Sequence, residues 1–193
     1  MRLLLGTALL LLAQAADAPL RFEATSAGGQ VVARLPTEVA GKLPAGVTRE
    51  QAHATFVANL KFAAEKLKAA GLKLLIEPIN SYDIPGFFLN YTAQAAAILD
   101  EVGSDNLYIQ YDLYHAQRME GELSATAQKY LARIAHVQLA DNPGRNEPGT
   151  GEMNYPFLFR HLDAIGYTGW IGCEYKPKTT TVEGLGWIKA LTK

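Results

Sequence analysis

Four oxygen-bearing side chains stand where apolar runs of strand length stop. Leu72-Lys73-Leu74-Leu75-Ile76 ends in Glu77, and Leu107-Tyr108-Ile109-Gln110-Tyr111 ends in Asp112. Ile134-Ala135-His136-Val137 ends in Gln138, and Gly169-Trp170-Ile171-Gly172-Cys173 ends in Glu174. Burying an unpaired carboxylate is costly, so a strand that packs Trp170 and Ile171 has no packing use for Glu174. Successive strands ending this way point to one shared site. Hard oxygen ligands suit magnesium or manganese better than zinc. The expected metal shell is Glu77, Asp112, Gln138 and Glu174, holding Mg²⁺ or Mn²⁺. Two carboxylates beside a divalent ion can also move protons, because the ion stabilises the enediolate left when a carbon acid is deprotonated. That chemistry suits aldose–ketose isomerisation or epimerisation, and it fits metal-assisted hydrolysis too.

Around this set, Arg145 and Lys176 are the nearest cations in sequence. A guanidinium can grip a substrate carboxylate through two parallel bonds, although either residue could equally be a solvated surface charge. His115, three residues after Asp112, is a candidate to bind substrate or support a ligand, its alternative being a loop imidazole bonded to backbone. His136 shares the face of Gln138 but lies deeper and reads as core packing. His53 reads as a boundary residue of a helix, and His161 carries no assignment. Cys173 adjoins Glu174 and so points to the opposite face of its strand, as a packed thiol.

The elements that must position these residues alternate between strand and helix. Thr48 with Gln51 forms a capping box, and Ala52, Phe56, Leu60, Ala63 and Leu67 make a helical stripe that Gly71 closes. A polar loop, Asn80 to Tyr91, carries Pro85-Gly86. Thr92 is expected to cap a helix through Leu99 that Gly103 ends. A further helix is expected around Ala125 to Ala132, one opened by Asn154 and Pro156 and closed by Gly166, and a last one carrying Leu185, Ile188 and Leu191. Strands alternating with helices imply right-handed βαβ units and a parallel sheet. The strand-end residues recur 35, 26 and 36 positions apart, about one such unit. In parallel α/β folds functional side chains gather at the carboxyl ends of strands, where all four sit. No glycine-rich phosphate fingerprint follows any of the strands.

At 193 residues and 49% hydrophobic content the chain can bury one sizeable core. Its net charge of -1 gives no electrostatic footprint for nucleic acid. One cysteine excludes an internal disulfide. Met1 to Ala18 has the pattern of a secretory leader, with Arg2, an apolar core from Leu3 to Leu12 and a small-residue site at Ala13-Gln14-Ala15. The alternatives are a buried helix or a misplaced gene start. Pro19 to Leu35 alternates as a hairpin around Gly28-Gly29.

The motifs together closely resemble those of hydroxypyruvate isomerases, which belong to the xylose-isomerase-like TIM barrels. They are Leu75-Ile76-Glu77-Pro78-Ile79-Asn80, Gln110-Tyr111-Asp112-Leu113-Tyr114-His115, His136-Val137-Gln138, Pro143-Gly144-Arg145-Asn146-Glu147-Pro148, Gly151-Glu152-Met153-Asn154-Tyr155-Pro156, and Gly169 through Pro177. The resemblance covers about Val39 to Lys193. It implies an incomplete (β/α) TIM-type barrel of parallel strands, roughly the last four βα units, behind an atypical N-terminal segment. Residues 1–38 would form that segment and 39–193 the partial barrel domain. The resemblance further implies reversible conversion of hydroxypyruvate to tartronate semialdehyde. In that reading Glu77 and Glu174 transfer the proton, Asp112 and Gln138 complete the metal shell, and His115 and Arg145 contact the substrate, with Lys176 close by. It also implies a small 2-keto-3-hydroxy acid as partner, no nucleic acid, and a cytoplasmic enzyme unless residues 1–18 direct export. A sugar or keto-acid isomerase or epimerase of the same superfamily, and a truncated metal-binding module without turnover, are the alternatives. A sheet with too few strands to close leaves edges that could pair in a homo-oligomer.

Overall fold

The alternation of apolar strands and amphipathic helices is realised in a computed structural model that describes residues 2–5, 23–27, 30–34, 41–43 and 45–191. In chain order, strand β1 (Arg2–Leu5) is followed by β2 (Glu23–Ala27), β3 (Gln30–Arg34) and helix α1 (Arg49–Ala69). Then come β4 (Leu74–Ile76), α2 (Thr92–Val102), β5 (Leu107–Asp112), α3 (Leu113–Met119) and α4 (Leu123–Tyr130). The chain ends with β6 (Ile134–Leu139), α5 (Tyr155–Ala164), β7 (Trp170–Cys173), α6 (Thr181–Gly184) and α7 (Trp187–Leu191). It divides into two compact units, Leu9–Ile109 and Met1–Ala8 with Gln110–Lys193, so that β5 leaves one and enters the other.

In the unit of residues 9–109, β2 and β3 form the expected antiparallel hairpin, Ala27 pairing with Gln30. The Gly28-Gly29 turn itself lies outside the described residues. The boundary expected at residues 38–39 and the leader segment beyond Leu5 also lie outside them. Helix α1 begins with the expected capping box: the Thr48 hydroxyl accepts from the Gln51 N–H at 3.2 Å, and the Gln51 side chain accepts from the Thr48 N–H at 2.9 Å. Its buried stripe is Phe56, Val57, Leu60, Ala63, Ala64 and Leu67. Gly71 then takes φ +72°, a left-handed turn that costs glycine little. Strand β4 pairs parallel with the first half of β5, Leu74 opposite Leu107 and Ile76 opposite Ile109. The following loop is tied by buried Asn80, whose Oδ1 accepts from the Asp83 N–H at 2.8 Å. Thr92 is the first residue inside α2 rather than its cap; Tyr91 holds the cap position without a side-chain bond.

In the other unit β5, β6, β7 and β1 lie side by side as neighbours. Strands β6 and β7 run parallel with Gln138 opposite Gly172, and β7 and β1 run parallel with Cys173 opposite Leu5. Val137, Leu139, Ala140, Tyr155 and Ile171 are buried behind this sheet, where Phe159 stacks on Trp187. The buried Tyr155 hydroxyl donates to the Ala140 carbonyl at 2.7 Å, and burial holds that phenol protonated well past its usual range. Asn154 caps α5, accepting from the Phe157 N–H at 3.2 Å. The single last helix expected from Leu185, Ile188 and Leu191 is instead two short ones, α6 and α7. Among the described residues the sheet has five strands, against the eight of a closed (β/α) barrel, so the barrel that they form is incomplete. Among the described residues no helix is long and apolar enough to cross a membrane.

Candidate metal and acid–base site

The strand ends of the 110–193 unit bring Asp112, Gln138 and Glu174 out at the carboxyl side of β5, β6 and β7. Asp112 is the last residue of β5 and also the N-cap of α3, so no loop intervenes. Its Oδ1 accepts from the Tyr114 N–H at 2.8 Å and the His115 N–H at 3.4 Å. Its Oδ2 is buried and lies 3.9 Å from His115 Nε2. His115, whose alternative reading was a loop imidazole, therefore stands in the first turn of a helix and is 2% exposed. Glu174 follows β7, and its N–H still donates to the Leu139 carbonyl of β6 at 3.0 Å. The parallel ladder thus fixes the backbone that carries this carboxylate.

One ligand atom each from Asp112, His115 and Glu174 lies within 4.8 Å of the others. Donors sharing an ion at about 2.0–2.6 Å can be at most about 4.0–5.2 Å apart, so the spacing fits. Two carboxylates and an imidazole are a set able to hold a divalent metal ion. Gln138 is 7% exposed, and its Oε1 accepts from Gln110 Nε2, another buried amide of the same unit. An amide oxygen has two lone pairs, so this bond leaves Gln138 one for a metal. Glu77 follows β4 in the 9–109 unit, half-buried, with its Oε1 fully buried.

Space for these side chains depends on Gly172. A methyl there would lie 2.8 Å from His136 Nε2 and 3.4 Å from Gln138 Cγ, both on neighbouring β6. His136 itself is only half-buried, and His161 is spent elsewhere, its Nε2 lying 2.9 Å from the Ser124 carbonyl. His53 pairs with Glu101 on the surface of the 9–109 unit.

Arg145 comes from the loop after β6. Its NH2 donates to Glu174 Oε2 at 3.1 Å and lies 3.5 Å from His115 Nε2. Its guanidinium sits 5.2 Å from the centre of the buried Tyr114 ring. The Nε2 of His115 that faces the guanidinium is also the atom nearest Asp112 Oδ2. Lys176 is exposed, and it is its backbone that bears on the site: its N–H donates to the Arg145 carbonyl at 2.7 Å. Cys173 packs on the face away from Glu174, 8% exposed, and burial pushes its thiol up to about 11.

No role followed from the sequence for Asp141, or for Glu147 within its motif, because their loop has no periodicity to read. Asp141 is buried and accepts from the N–H groups of Gly149, Gly151 and Met153 at 2.7, 3.0 and 3.1 Å. That carboxylate organises the whole loop from which Arg145 projects.

The profile of the xylose isomerase-like TIM barrel matches residues 22–191. Hydroxypyruvate isomerase of Escherichia coli K12 is 57% identical to the chain over 148 residues, covering 77% of this chain and 57% of that protein. The 2-oxo-tetronate isomerase of Cupriavidus necator is 48% identical over 151 residues, covering 78% and 58%. A crystal structure from Brucella melitensis, described as an AP endonuclease of family 2, superposes with a TM-score of 0.73 at 41% identity. It covers 76% of this chain and 57% of that one. An L-ribulose 3-epimerase superposes at 0.62 with 26% identity, covering 79% and 50%. The chain therefore spans a little over half the length of the curated relatives it matches. With parallel strands ending in a shared donor set, and a family profile running through nearly all of the described residues, this chain belongs to the xylose isomerase-like TIM barrel family.

Proposed function

We propose that the chain carries the metal and proton-transfer centre of a hydroxypyruvate isomerase, interconverting hydroxypyruvate and tartronate semialdehyde. The observation that carries this reading is the convergence of Asp112, His115 and Glu174 donor atoms within 4.8 Å. The 57% identity to the Escherichia coli isomerase narrows the chemistry from the several reactions such a centre could run. Glu77, at the end of β4, completes the set in this proposal, and Gln138 adds its remaining lone pair. Oxygen donors dominate, which favours Mg²⁺ or Mn²⁺. A bound divalent ion would supply a Lewis acid for the two substrate oxygens and carry the negative charge that develops on them.

The chain's own residues do the rest. One of Glu77 and Glu174 removes a proton from C3 of hydroxypyruvate, and the C2–C3 bond becomes the double bond of an enediolate. The other glutamate delivers a proton to C2, while the proton on the C3 oxygen passes to the C2 oxygen, leaving an aldehyde at C3. Atoms and electrons balance without a redox partner. Arg145 binds the substrate carboxylate, and its contact with Glu174 aims that side chain. His115 and the Tyr114 ring confine the guanidinium from the α3 side.

The test is to incubate the full chain with hydroxypyruvate and Mg²⁺ or Mn²⁺ and follow tartronate semialdehyde. Glu174→Gln keeps the shape and one oxygen donor but no base, so turnover should fall by ~10²–10⁴ with metal binding only modestly weaker. Turnover near the parent's in Glu174→Gln would overturn the assignment. The donor set would equally serve one second reading, a chain that holds the metal without turning over. Metal binding by calorimetry with no product would select it. The Brucella relative's description as an endonuclease would ask for a phosphodiester substrate, and a net charge of -1 gives little attraction for one.

A further inference from the structure

Glu147 is a buried carboxylate, 5% exposed, that no step above uses. It sits in the loop after β6, two residues beyond Arg145. Both of its oxygens accept from the backbone N–H of Lys178, at 3.0 and 3.2 Å. Asn146 donates from Nδ2 to the Lys176 carbonyl at 2.8 Å, and the Lys176 N–H donates to the Arg145 carbonyl at 2.7 Å. Three successive loop residues are thus clasped onto the segment that leaves β7, immediately after Glu174. Within this clasp Arg145 has φ +53°, in the left-handed region that a side chain of its size seldom adopts. A conformation of that kind is costly and persists only where its surroundings impose it.

The fold also reserves room for Glu147. A methyl on Gly184 of α6 would overlap Glu147 Oε1 and lie 3.1 Å from both Cγ and Cδ. That carboxylate cannot swing aside without releasing Lys178. Gly184 is not in a left-handed conformation, so its lack of a side chain serves the approach of Glu147 rather than a turn.

We infer that Glu147 is a positioning residue for the proposed isomerase centre: clasped to Lys178 beneath Gly184, it holds Arg145 in its left-handed conformation so that the guanidinium reaches Glu174. This rests on the function proposed above, through the role given to Arg145 there. Small displacements of a positioning group can cost up to ~10²-fold in rate, which sets the scale of the expected effect.

The test compares Glu147→Ala, Glu147→Gln and Gly184→Ala with Arg145→Ala in the full chain, by kinetics and by the NMR signal of the Arg145 Nε–H. Glu147→Ala and Gly184→Ala should each lower kcat/KM by ~10- to 10²-fold. Glu147→Gln, which still accepts from Lys178, should recover most of it. In the Arg145→Ala background Glu147→Ala should change kcat/KM no further, since its effect runs through that side chain. The Nε–H signal, assigned by its loss in Arg145→Lys, should be ordered in the parent and in Glu147→Gln and averaged in Glu147→Ala. Additive losses in the double variant, or an Arg145 signal unchanged in Glu147→Ala, would overturn the inference. A parent chain without turnover would count against the isomerase reading alone, because the Nε–H signal decides the role of Glu147 without any substrate. If Glu147→Ala does not fold, Gly184→Ala and Glu147→Gln decide by the same two readouts.

Discussion

Removing the Arg145 guanidinium should tighten metal binding while it slows the reaction. Its NH2 lies 3.1 Å from Glu174 Oε2, and the two side chains are 21% and 20% exposed, so the contact is neither a screened surface pair nor a fully desolvated one. A hydrogen bond between charged groups contributes about 1.5–3 kcal/mol. A cation recruiting Glu174 must weaken that bond and also approaches a like charge. If roughly half of the bond is surrendered on metal binding, Arg145→Ala removes an opposing free energy of ~1 kcal/mol, or about fivefold in affinity. Turnover should move the other way. Losing one charged hydrogen bond to the substrate carboxylate should cost kcat/KM ~10- to 10²-fold. Arg145→Lys keeps the charge but not the planar fork, so it should leave metal affinity near the parent's and turnover still low. Calorimetric titration with Mn²⁺ at fixed ionic strength, beside initial rates with hydroxypyruvate, measures both. Mn²⁺ affinity that falls or stays level in Arg145→Ala would refute the claim that the guanidinium competes at Glu174.

Asp112→Asn keeps an oxygen for the Tyr114 N–H but presents an NH2 where Oδ2 stands; Mn²⁺ affinity should drop at least ~10-fold while stability to urea changes by less than ~1 kcal/mol. Leu60→Ala, at a fully buried position of α1, should destabilise the 9–109 unit by about 2–5 kcal/mol in urea melts. The Cys173 thiol loses its proton near pH 9 when unfolded but only at about 11 in the fold. Ionisation therefore favours the unfolded chain as pH rises between those values, and stability should fall there by up to about 1.4 kcal/mol per unit. The parent should show this steeper decline relative to Cys173→Ala, since the buried tyrosines add the same alkaline slope to both; parallel pH profiles would refute the assignment.

Three of the four strand ends, at Glu77, Asp112 and Glu174, were legible because each apolar run stops at a side chain that packing cannot use, whereas β6 runs one residue past Gln138 to Leu139. The capping box at Thr48 and the Asn154-Pro156 start of α5 were legible for a similar reason, since helix ends need particular side chains at particular offsets. Helix α3 was not. It starts on the residue after β5, and no glycine, proline or polar loop marks the change from a period of two to one of 3.6. Asp112 is itself the signal, an N-cap type directly before Leu113, but its place in a ligand set obscured that second role. The Gly/Pro/Asn-rich loop after β6 hid Asp141 and Glu147 because their partners are backbone N–H groups far along the chain, which no local pattern encodes. Lys176 was expected at the site as one of the cations nearest to it in sequence. Strand β7 ends at Cys173, however, so the strand no longer directs that side chain, which is exposed.

The double role of Asp112 explains why this part of the site can be rigid without a supporting loop. Its two oxygens are divided between fold and chemistry. Oδ1 is committed to the first N–H groups of α3, which would otherwise lack partners at the start of a helix. That commitment fixes the carboxylate plane, and with it the position of Oδ2. The same cap sets where α3 begins, and hence where His115 falls, three residues on and 3.9 Å from Oδ2. One side chain thus determines the positions of two donors. Glu174 is fixed differently, by a ladder bond from its backbone and by Arg145 at its tip. The proposed acid–base residue is therefore held through a contact that can be released, whereas Asp112 is held through the helix itself. A group that must exchange protons needs room to reorient, and a group that only binds does not. On that basis the proton-transfer role proposed above suits Glu174 better than Asp112.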